Sequence, residues 1–377
     1  GPSFLDIQLI TGTDIEKAST FFTAGSVGYL CGSLVSGILI DKFNKILLLT
    51  VCVTGLAVTC AVIPLCSIYG LMVFIFLANS FCGGFLDTGG NADMVSIWSE
   101  AEGRPYMQFI HFAFAFGGVI SPLITAPFLS PSTQANALNT STSDFENTTV
   151  VGDNTTSPSN ITSNVSEGAV EIQLIYAYII AGILTFIAAS CCLVIYCKMK
   201  ATKKKTQTKK EAPVEEKRDL PLKYYILTVV LLDLMYVFYC SVEDTFAAYL
   251  LTFTVLHLKW SKSSGSQITS LFWASFAVSR FLGIFFIGCL RPVRMLAICF
   301  FGLFVSLLAF LLCAYYHIYP GIWVFTVFVG FSLSVIFPTG FTWTQESLVK
   351  VSGKVASSIL IAASLGTMIN PLIIGYL

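Results

Sequence analysis

Charged residues are scarce in this sequence. Of its 377 residues, 11% are Asp, Glu, Lys or Arg and 55% are apolar, whereas soluble domains are roughly one quarter charged. The 21 basic and 21 acidic residues cancel, so the formal net charge is zero. The low charge excludes an ordinary soluble domain, and the balanced charge gives no support to a nucleic-acid partner.

Catalytic and nucleotide-binding motifs are also missing. The sequence has no P-loop, no zinc-ligand spacing and no nucleophile with a base beside it, so we predict that the protein is not an enzyme and needs no cofactor. The twelve cysteines include no CxxC pair, and most of them fall inside apolar runs. We expect them to behave as small buried apolar side chains rather than as a disulfide framework.

Long apolar runs dominate the sequence instead. A membrane-spanning helix needs about 20 mostly apolar residues, and ten runs reach that length. Backbone groups in lipid must hydrogen-bond internally, and the runs are too long for barrel strands. We therefore predict an all-α polytopic membrane protein. The predicted spans are residues 19–40, 46–67, 70–97, 105–129, 173–197, 222–250, 264–288, 295–316, 320–344 and 355–377.

The positions of lysine and arginine predict the orientation of these spans. One assignment places 17 of the 21 basic residues on a single face, which we take as cytoplasmic. It makes residues 198–221 a disordered, basic cytoplasmic linker. The linker divides the chain into an N-terminal bundle, residues 1–197, and a C-terminal bundle, residues 222–377.

The same assignment places residues 130–172 outside the cell. This predicted loop has no Lys or Arg, and five of its six asparagines are followed two residues later by Ser or Thr. Such sequons are N-glycosylation acceptors, although an Asn- and Thr-rich segment also produces them by chance. The five residues are Asn139, Asn147, Asn154, Asn160 and Asn164.

The two halves resemble internal repeats. Spans 19–40 and 264–288 are both rich in small residues, and both run from the outside into a tight basic turn. If the halves are repeats, residues 1–9 are the outer end of an opening span and a last span is missing, so we expect twelve spans in the parent protein. The chain opens on Gly1-Pro2 without an initiator methionine, and the sequence does not tell whether these two residues are native.

Polar side chains gather at mid-depth in two neighbouring spans. Asp87 and Asn91 are four residues apart and share a helix face, and a carboxylate at the bilayer centre costs about 3 kcal/mol unless it faces a cavity or a partner. On the next span, Gln108 and His111 are three residues apart, with His111 at the depth of Asn91. We predict that these four residues bind a substrate or a coupling ion. The alternative is a hydrogen-bond network that only joins the two helices.

Single residues of the second half are further candidates. Asp233 lies inside a span and is expected to face the cavity, while Glu243 lies near the outer end of the same span. Arg280 lies inside another span, where it could pair with an acidic residue across the bundle. Pro338 permits a kink, and Trp343 beyond it is a candidate for stacking on a sugar ring or for anchoring at the interface.

One segment resembles a signature of the major facilitator superfamily. Gly37 is followed by three apolar residues and then by Asp41-Lys42-Phe43-Asn44-Lys45, the pattern that joins the second and third helices in that superfamily. Asn44 stands where glycine is usual, and asparagine also tolerates left-handed turns. The resemblance implies that Asp41, Lys42 and Lys45 are gating residues and not substrate ligands.

A second segment looks like the sodium-dependent glucose transporter branch of that superfamily. It comprises Leu86-Asp87-Thr88-Gly89-Gly90-Asn91, then Pro105-Tyr106-Met107-Gln108 and His111-Phe112. It is more distantly similar to fucose permeases, which carry Glu in place of Asp87. The resemblance implies a monomeric plasma-membrane symporter that moves a hexose by alternating access. It also implies a coupling ion at Asp87, with sodium expected and a proton as the alternative.

Two rival functions remain open on the sequence. One is a sodium-independent facilitator of the same fold that moves another small polar solute, such as urea or an organic acid. The other is a membrane scaffold or receptor that retains the fold without transporting. Solute competition would separate the first rival from a hexose symporter, and a scaffold would tolerate Asp87→Ala.

Overall fold

A computed structural model describes residues 4–98, 102–128, 167–205 and 221–376, and no strand occurs in these ranges. The predicted all-α class is therefore confirmed. The helices are α1 (Phe4–Thr11), α2 (Ile15–Leu39), α3 (Lys45–Val62), α4 (Tyr69–Ile97), α5 (Gly103–Thr125), α6 (Glu167–Lys205), α7 (Leu222–Leu256), α8 (Lys262–Phe286), α9 (Pro292–Tyr315), α10 (Tyr319–Ser334), α11 (Ile336–Trp343) and α12 (Gly353–Tyr376).

Each of the ten predicted spans coincides with a helical segment, the ninth being divided between α10 and α11. Within the described ranges, eight helical segments are long and apolar enough to cross a membrane. The remaining two spans fall on α5, whose apolar character is reduced by Arg104, Gln108 and His111, and on α12, whose described apolar stretch is Gly353–Met368. The chain is thus a multi-pass membrane protein.

Helix α6 corrects two predicted boundaries. It begins at Glu167 and continues to Lys205, so it takes in the end of the predicted outside loop and the start of the predicted linker. Lysine and alanine are good helix formers, and lysines near a helix C-terminus interact favourably with the helix dipole. The five sequon asparagines and residues 206–220 lie outside the described residues.

Helices of the two halves meet along two seams. In the first half α2 packs along α4, and α3 packs against α4 and α6. In the second half α7 packs on α8 and α12, and α10 packs on α8 and α9. The first seam joins α2 to α12, and the second joins α5 to α8 and α11. A cavity between the halves is therefore walled by helices of both.

Glycines allow α2 and α4 to touch backbone to backbone. A Cβ atom added at Gly28, Gly32 or Gly84 would collide with a main-chain carbonyl of the facing helix, as expected where small residues let membrane helices approach closely. The collision at Gly84 would be with the carbonyl of Tyr29. The close approach places Tyr29 beside Asp87.

The predicted kink at Pro338 is present as a break between two helices. Helix α10 ends at Ser334 and α11 begins at Ile336. Proline has no N–H group, so the carbonyl of Ser334, four residues earlier, loses its helical partner. A π-helical turn, Thr344–Leu348, follows α11.

We predict that Gly84→Ala destabilises the protein and that Gly83→Ala does not. A Cβ at Gly84 would press on the α2 backbone, whereas a Cβ at Gly83 would meet nothing within 4 Å. Overpacking of this kind costs about 1–3 kcal/mol. The midpoint of thermal unfolding of the detergent-purified protein measures the difference, and equal midpoints for the two variants would contradict the packing described.

Candidate functional site

A cavity of about 260 Å³ lies between the two halves. Pockets for drug-sized ligands span roughly 300–1,000 Å³, so this volume suits a small solute. Its walls come from α2, α4 and α5 on one side and from α7, α8, α11 and α12 on the other. The charged residues of the lining are Asp87, Glu243, Asp244 and Arg280.

A chain of hydrogen bonds crosses the first-half wall of the cavity. The hydroxyl of Tyr29 donates to Oδ2 of Asp87 at 2.5 Å, and the side-chain amide of Asn91 donates to Oδ1 at 2.9 Å. Oδ1 of Asn91 then lies 3.1 Å from Nε2 of His111. The chain joins α2, α4 and α5, and it places His111 at the depth of Asn91, as the helix spacing predicted.

Tyr29 was not among the candidates from the sequence. A tyrosine in an apolar run carries no signal by itself, because its hydroxyl can point to many partners. The available signal was the pair of small residues around it, Gly28 and Gly32, which indicate a face that packs closely against another helix.

Gln108 belongs to a different contact. Its Nε2 donates to Oγ1 of Thr339 in the second half at 2.9 Å, and both residues are buried. Its Oε1 is buried without a hydrogen-bond partner. Neither Gln108 nor Asn91 lines the cavity, but Asn91 bonds to Asp87 and contacts His111. The four predicted residues therefore separate into a hydrogen-bonded group of three and a cross-half contact.

Arg280 reaches across the cavity to the first half. Its guanidinium donates from Nη1 to the carbonyl of His111 at 3.0 Å and from Nε to the carbonyl of Ser334 at 3.1 Å. The acidic partner expected from the sequence is not in contact: the ion pairs of the described ranges are Lys45 with Asp93 and Arg104 with Glu346.

Of the other second-half candidates, only Glu243 lines the cavity. Asp233 lies ten residues earlier on α7, about 15 Å along the helix axis, and both of its carboxylate oxygens are 2.8 Å from the hydroxyl of Ser358 on α12. Trp343 lies six residues beyond Phe337, the α11 residue that lines the cavity. Asp233, which was expected to face the cavity, and Trp343 are therefore not among the residues that line it.

Two contacts join the halves at the end where the basic turns lie. The carboxylate of Asp41 accepts a hydrogen bond of 2.8 Å from the backbone N–H of Gly353, at the N-terminus of α12, where negative charge is stabilising. Arg104 forms a two-pronged ion pair with Glu346, at 2.5 Å and 2.7 Å. Because the basic turns are predicted to face the cytoplasm, we refer to these two contacts as the inner clasp.

The two lysines predicted to gate do not take part in the inner clasp. Lys45 lies 3.5 Å from Asp93 and donates to Ser96 at 2.7 Å, both on α4 of the same half. Lys42 is exposed. Of the three residues predicted to gate, Asp41 is the one that accepts a hydrogen bond from the other half.

The opposite end of the molecule is open to the cavity. A second cavity of about 420 Å³ shares Tyr29, Ser364 and Thr367 with the first. It extends to Phe21 and Phe22, near the start of α2. The two cavities together therefore run from Asp87 toward the start of α2, away from the basic-turn end.

Comparison with known proteins gives the family. The sequence model of the Major Facilitator Superfamily matches residues 1–143 and 156–371. The chain belongs to the Major Facilitator Superfamily. As the resemblance in the sequence predicted, this major facilitator chain is similar to human sodium-dependent glucose transporter 1, with 32% identity over 377 residues covering 100% of the chain and 70% of that protein. It is also similar to mouse sodium-dependent glucose transporter 1A, with 29% identity covering 100% of the chain and 85% of that protein.

Solved transporters share the fold at low sequence identity. The E. coli fucose:proton symporter FucP has a TM-score of 0.69 at 14% identity, covering 99% of this chain and 87% of that one. The proton:xylose symporter XylE has a TM-score of 0.67 at 9% identity, covering 100% of this chain and 83% of that one. The predicted major facilitator fold is confirmed.

We predict that Arg104→Ala loosens the inner clasp. Ser357 is buried where α12 faces Gly37 of α2, so a cysteine placed there by Ser357→Cys reports on opening at that end. The Arg104–Glu346 pair is partly buried. Losing a hydrogen bond to a charged group costs about 1.5–3 kcal/mol, so the rate of maleimide modification should rise about ten-fold. Site-resolved mass spectrometry distinguishes this cysteine from the native ones.

Lys45→Ala is the matched control for the loosened clasp. It also removes a basic residue near the same turn, but its partners belong to its own half. Equal modification rates in the Arg104→Ala and Lys45→Ala backgrounds would contradict a role of the Arg104–Glu346 pair in holding the halves together.

Proposed function

We propose that this major facilitator protein is a secondary active transporter of a hexose, such as glucose, coupled to sodium in symport. The observation that carries the proposal is the small cavity between the halves, with Asp87 held by Tyr29 and Asn91 in one wall. The names of the human and mouse relatives, which include glucose and sodium, support the choice of solute and ion.

The cavity offers the groups that a hexose needs. A hexose is uncharged, with hydroxyl groups at its edges and apolar faces. Carboxylate, imidazole and hydroxyl groups of Glu243, His111 and Thr367 can exchange hydrogen bonds with the hydroxyls, and Phe114 and Phe337 offer apolar surface to the ring. Such a mixture of aromatic walls and a few polar groups is typical of small-molecule sites.

Charge balance favours a cation as the second ligand. The described lining has three carboxylates, those of Asp87, Glu243 and Asp244, and one guanidinium, that of Arg280. Each carboxylate oxygen has two lone pairs, so Asp87 retains acceptor capacity after it binds Tyr29 and Asn91. The excess of carboxyl groups over basic groups supports sodium, or a proton as the alternative ion, and disfavours a facilitator of organic acids.

Alternating access follows from the two ends of the molecule. In the observed arrangement the inner clasp holds the halves together below the cavity, while the cavity continues toward the start of α2. Rocking of one half against the other would break the clasp and close the opposite end, as in other transporters built from two repeated bundles. We propose that this cycle takes place in a plasma-membrane monomer, with residues 130–172 extracellular and 198–221 cytoplasmic.

We expect Asp87→Asn to abolish sodium-dependent hexose uptake. Asparagine keeps the shape of the side chain but loses the negative charge, and hydrogen bonds to charged groups are worth about 1.5–3 kcal/mol, so uptake should fall about ten-fold or more. The measurement is uptake of radiolabelled glucose by cells that express the full-length protein, in sodium or choline medium, normalised to surface abundance.

Asp14→Asn is the control for Asp87→Asn. Asp14 is exposed, it precedes α2, and its side chain makes no capping bond, so its substitution should leave uptake unchanged. If glucose uptake is unchanged by sodium replacement and by Asp87→Asn, the protein is instead a facilitator that binds glucose at another site. Absence of hexose uptake by the wild type would overturn the sugar assignment, and competition by other solutes would then identify the cargo.

A further inference from the structure

Arg280 is a buried charge inside a membrane span. It is 5% exposed, and its guanidinium lies 4.6 Å from the ring centroid of Phe276. A cation inside a membrane is costly unless it faces a cavity or specific partners. Arg280 has both, because it lines the cavity and donates to two main-chain carbonyls, those of His111 and Ser334.

The Ser334 carbonyl is available because of Pro338. In an unbroken helix the N–H of residue 338 would donate to the carbonyl of residue 334, but proline has no N–H. The Nε atom of Arg280 occupies the place of that donor at 3.1 Å. The helix break in the ninth span is thus filled by a charged side chain from α8.

The base of Arg280 is fixed in the second half. On one side, the hydroxyl of Ser279 donates to the carbonyl of Phe331 at 2.7 Å. On the other, the hydroxyl of Ser334 donates to the carbonyl of Phe276 at 2.6 Å. These two bonds tie α8 to α10 on both sides of the guanidinium, so Arg280 moves with the second half.

The far end of Arg280 contacts the residue that ends the hydrogen-bond chain of Asp87. The ring of His111 faces Asn91, which holds Asp87, while the carbonyl of His111 accepts from Arg280. With the bond from Nε of Arg280 to the carbonyl of Ser334, four hydrogen bonds therefore lead from the proposed ion site in the first half to a helix break in the second half. Movement of the halves must change the Arg280–His111 bond, because the bond crosses between them.

We infer that Arg280 is a positioning residue that makes the movement of the second half depend on the cation bound at Asp87. The inference rests on the proposed function and specifies how occupancy of its ion site affects the position of the second half. Arg280 acts in two separable ways. Its positive charge lies in the same cavity as Asp87 and therefore weakens the binding of the coupling cation there by repulsion. Its planar fork holds the His111 and Ser334 carbonyls at one time and thereby fixes the second half relative to the first.

Substitutions separate the charge from the geometry. Arg280→Gln removes both the charge and the fork, whereas Arg280→Lys keeps the charge but has no planar fork. Pro338→Ala leaves Arg280 intact and restores an N–H that competes for the Ser334 carbonyl. Pro320→Ala is the matched control, because Pro320 lies in the first turn of α10, where a missing N–H leaves no carbonyl unpaired.

The experiment measures glucose uptake by the full-length protein against sodium concentration and against pH, normalised to surface abundance. For Arg280→Gln, we expect the half-saturating concentration of the coupling cation to fall about three- to ten-fold, as for loss of one unit charge in a partly solvated cavity, and the maximal rate to fall as well. For Arg280→Lys and Pro338→Ala, we expect a lower maximal rate with half-saturation within about two-fold of wild type. Pro320→Ala should match wild type in both quantities.

Two results would overturn the inference and leave the proposed function in place. In the first, uptake by the wild type depends on the cation, and Arg280→Gln has the same half-saturating cation concentration and the same maximal rate. Arg280 then has no positioning role, and the proposed function stands. In the second, Pro338→Ala has the same maximal rate as Pro320→Ala. The carbonyl of Ser334 then has no role in connecting the two halves. A wild type that responds to neither sodium nor pH would instead overturn the proposed symport, and this inference with it.

Discussion

Lipid offers no hydrogen bonds, and every other feature of this protein follows from that constraint. Polar side chains inside the bundle have to find partners within the protein, and those that bond to another helix also fix a helix–helix contact. Asp87 is held from α2 and from its own helix, and Arg280 is held by carbonyls on α5 and α10. The groups that give the cavity its chemistry are the same groups that determine how the helices around it are arranged.

The helices themselves could be predicted from the sequence because apolar length is a strong signal. All ten runs coincide with helical segments, and the break at Pro338 follows from the chemistry of proline. The boundaries of α6 could not be read in this way. Hydropathy falls where the lysines after residue 197 begin, but a helix can continue into water as long as its residues favour that conformation.

The candidate site was predicted only in part, because the sequence gives the depth of a residue in the membrane but not the direction in which its side chain points. Helix rise places Asn91 and His111 at one level, and the structure brings them into contact. Helix rise does not give the rotation of one helix about its axis relative to another, because that rotation is set by packing. Distance along α7 places Asp233, beside Ser358, away from the cavity, and rotation decides that Gln108 faces Thr339. Tyr29 and Arg280 needed the same information.

The glycine contacts between α2 and α4 have a consequence for the direction of transport. Because the two helices touch through their backbones, they move as one body, and Tyr29 and Asp87 stay together whichever end of the cavity is open. An ion site that travels intact has the same ligands on either side of the membrane. Under the proposed mechanism nothing in such a site selects inward over outward, so the solute and ion gradients alone determine the net flux, and reversing them reverses the transporter.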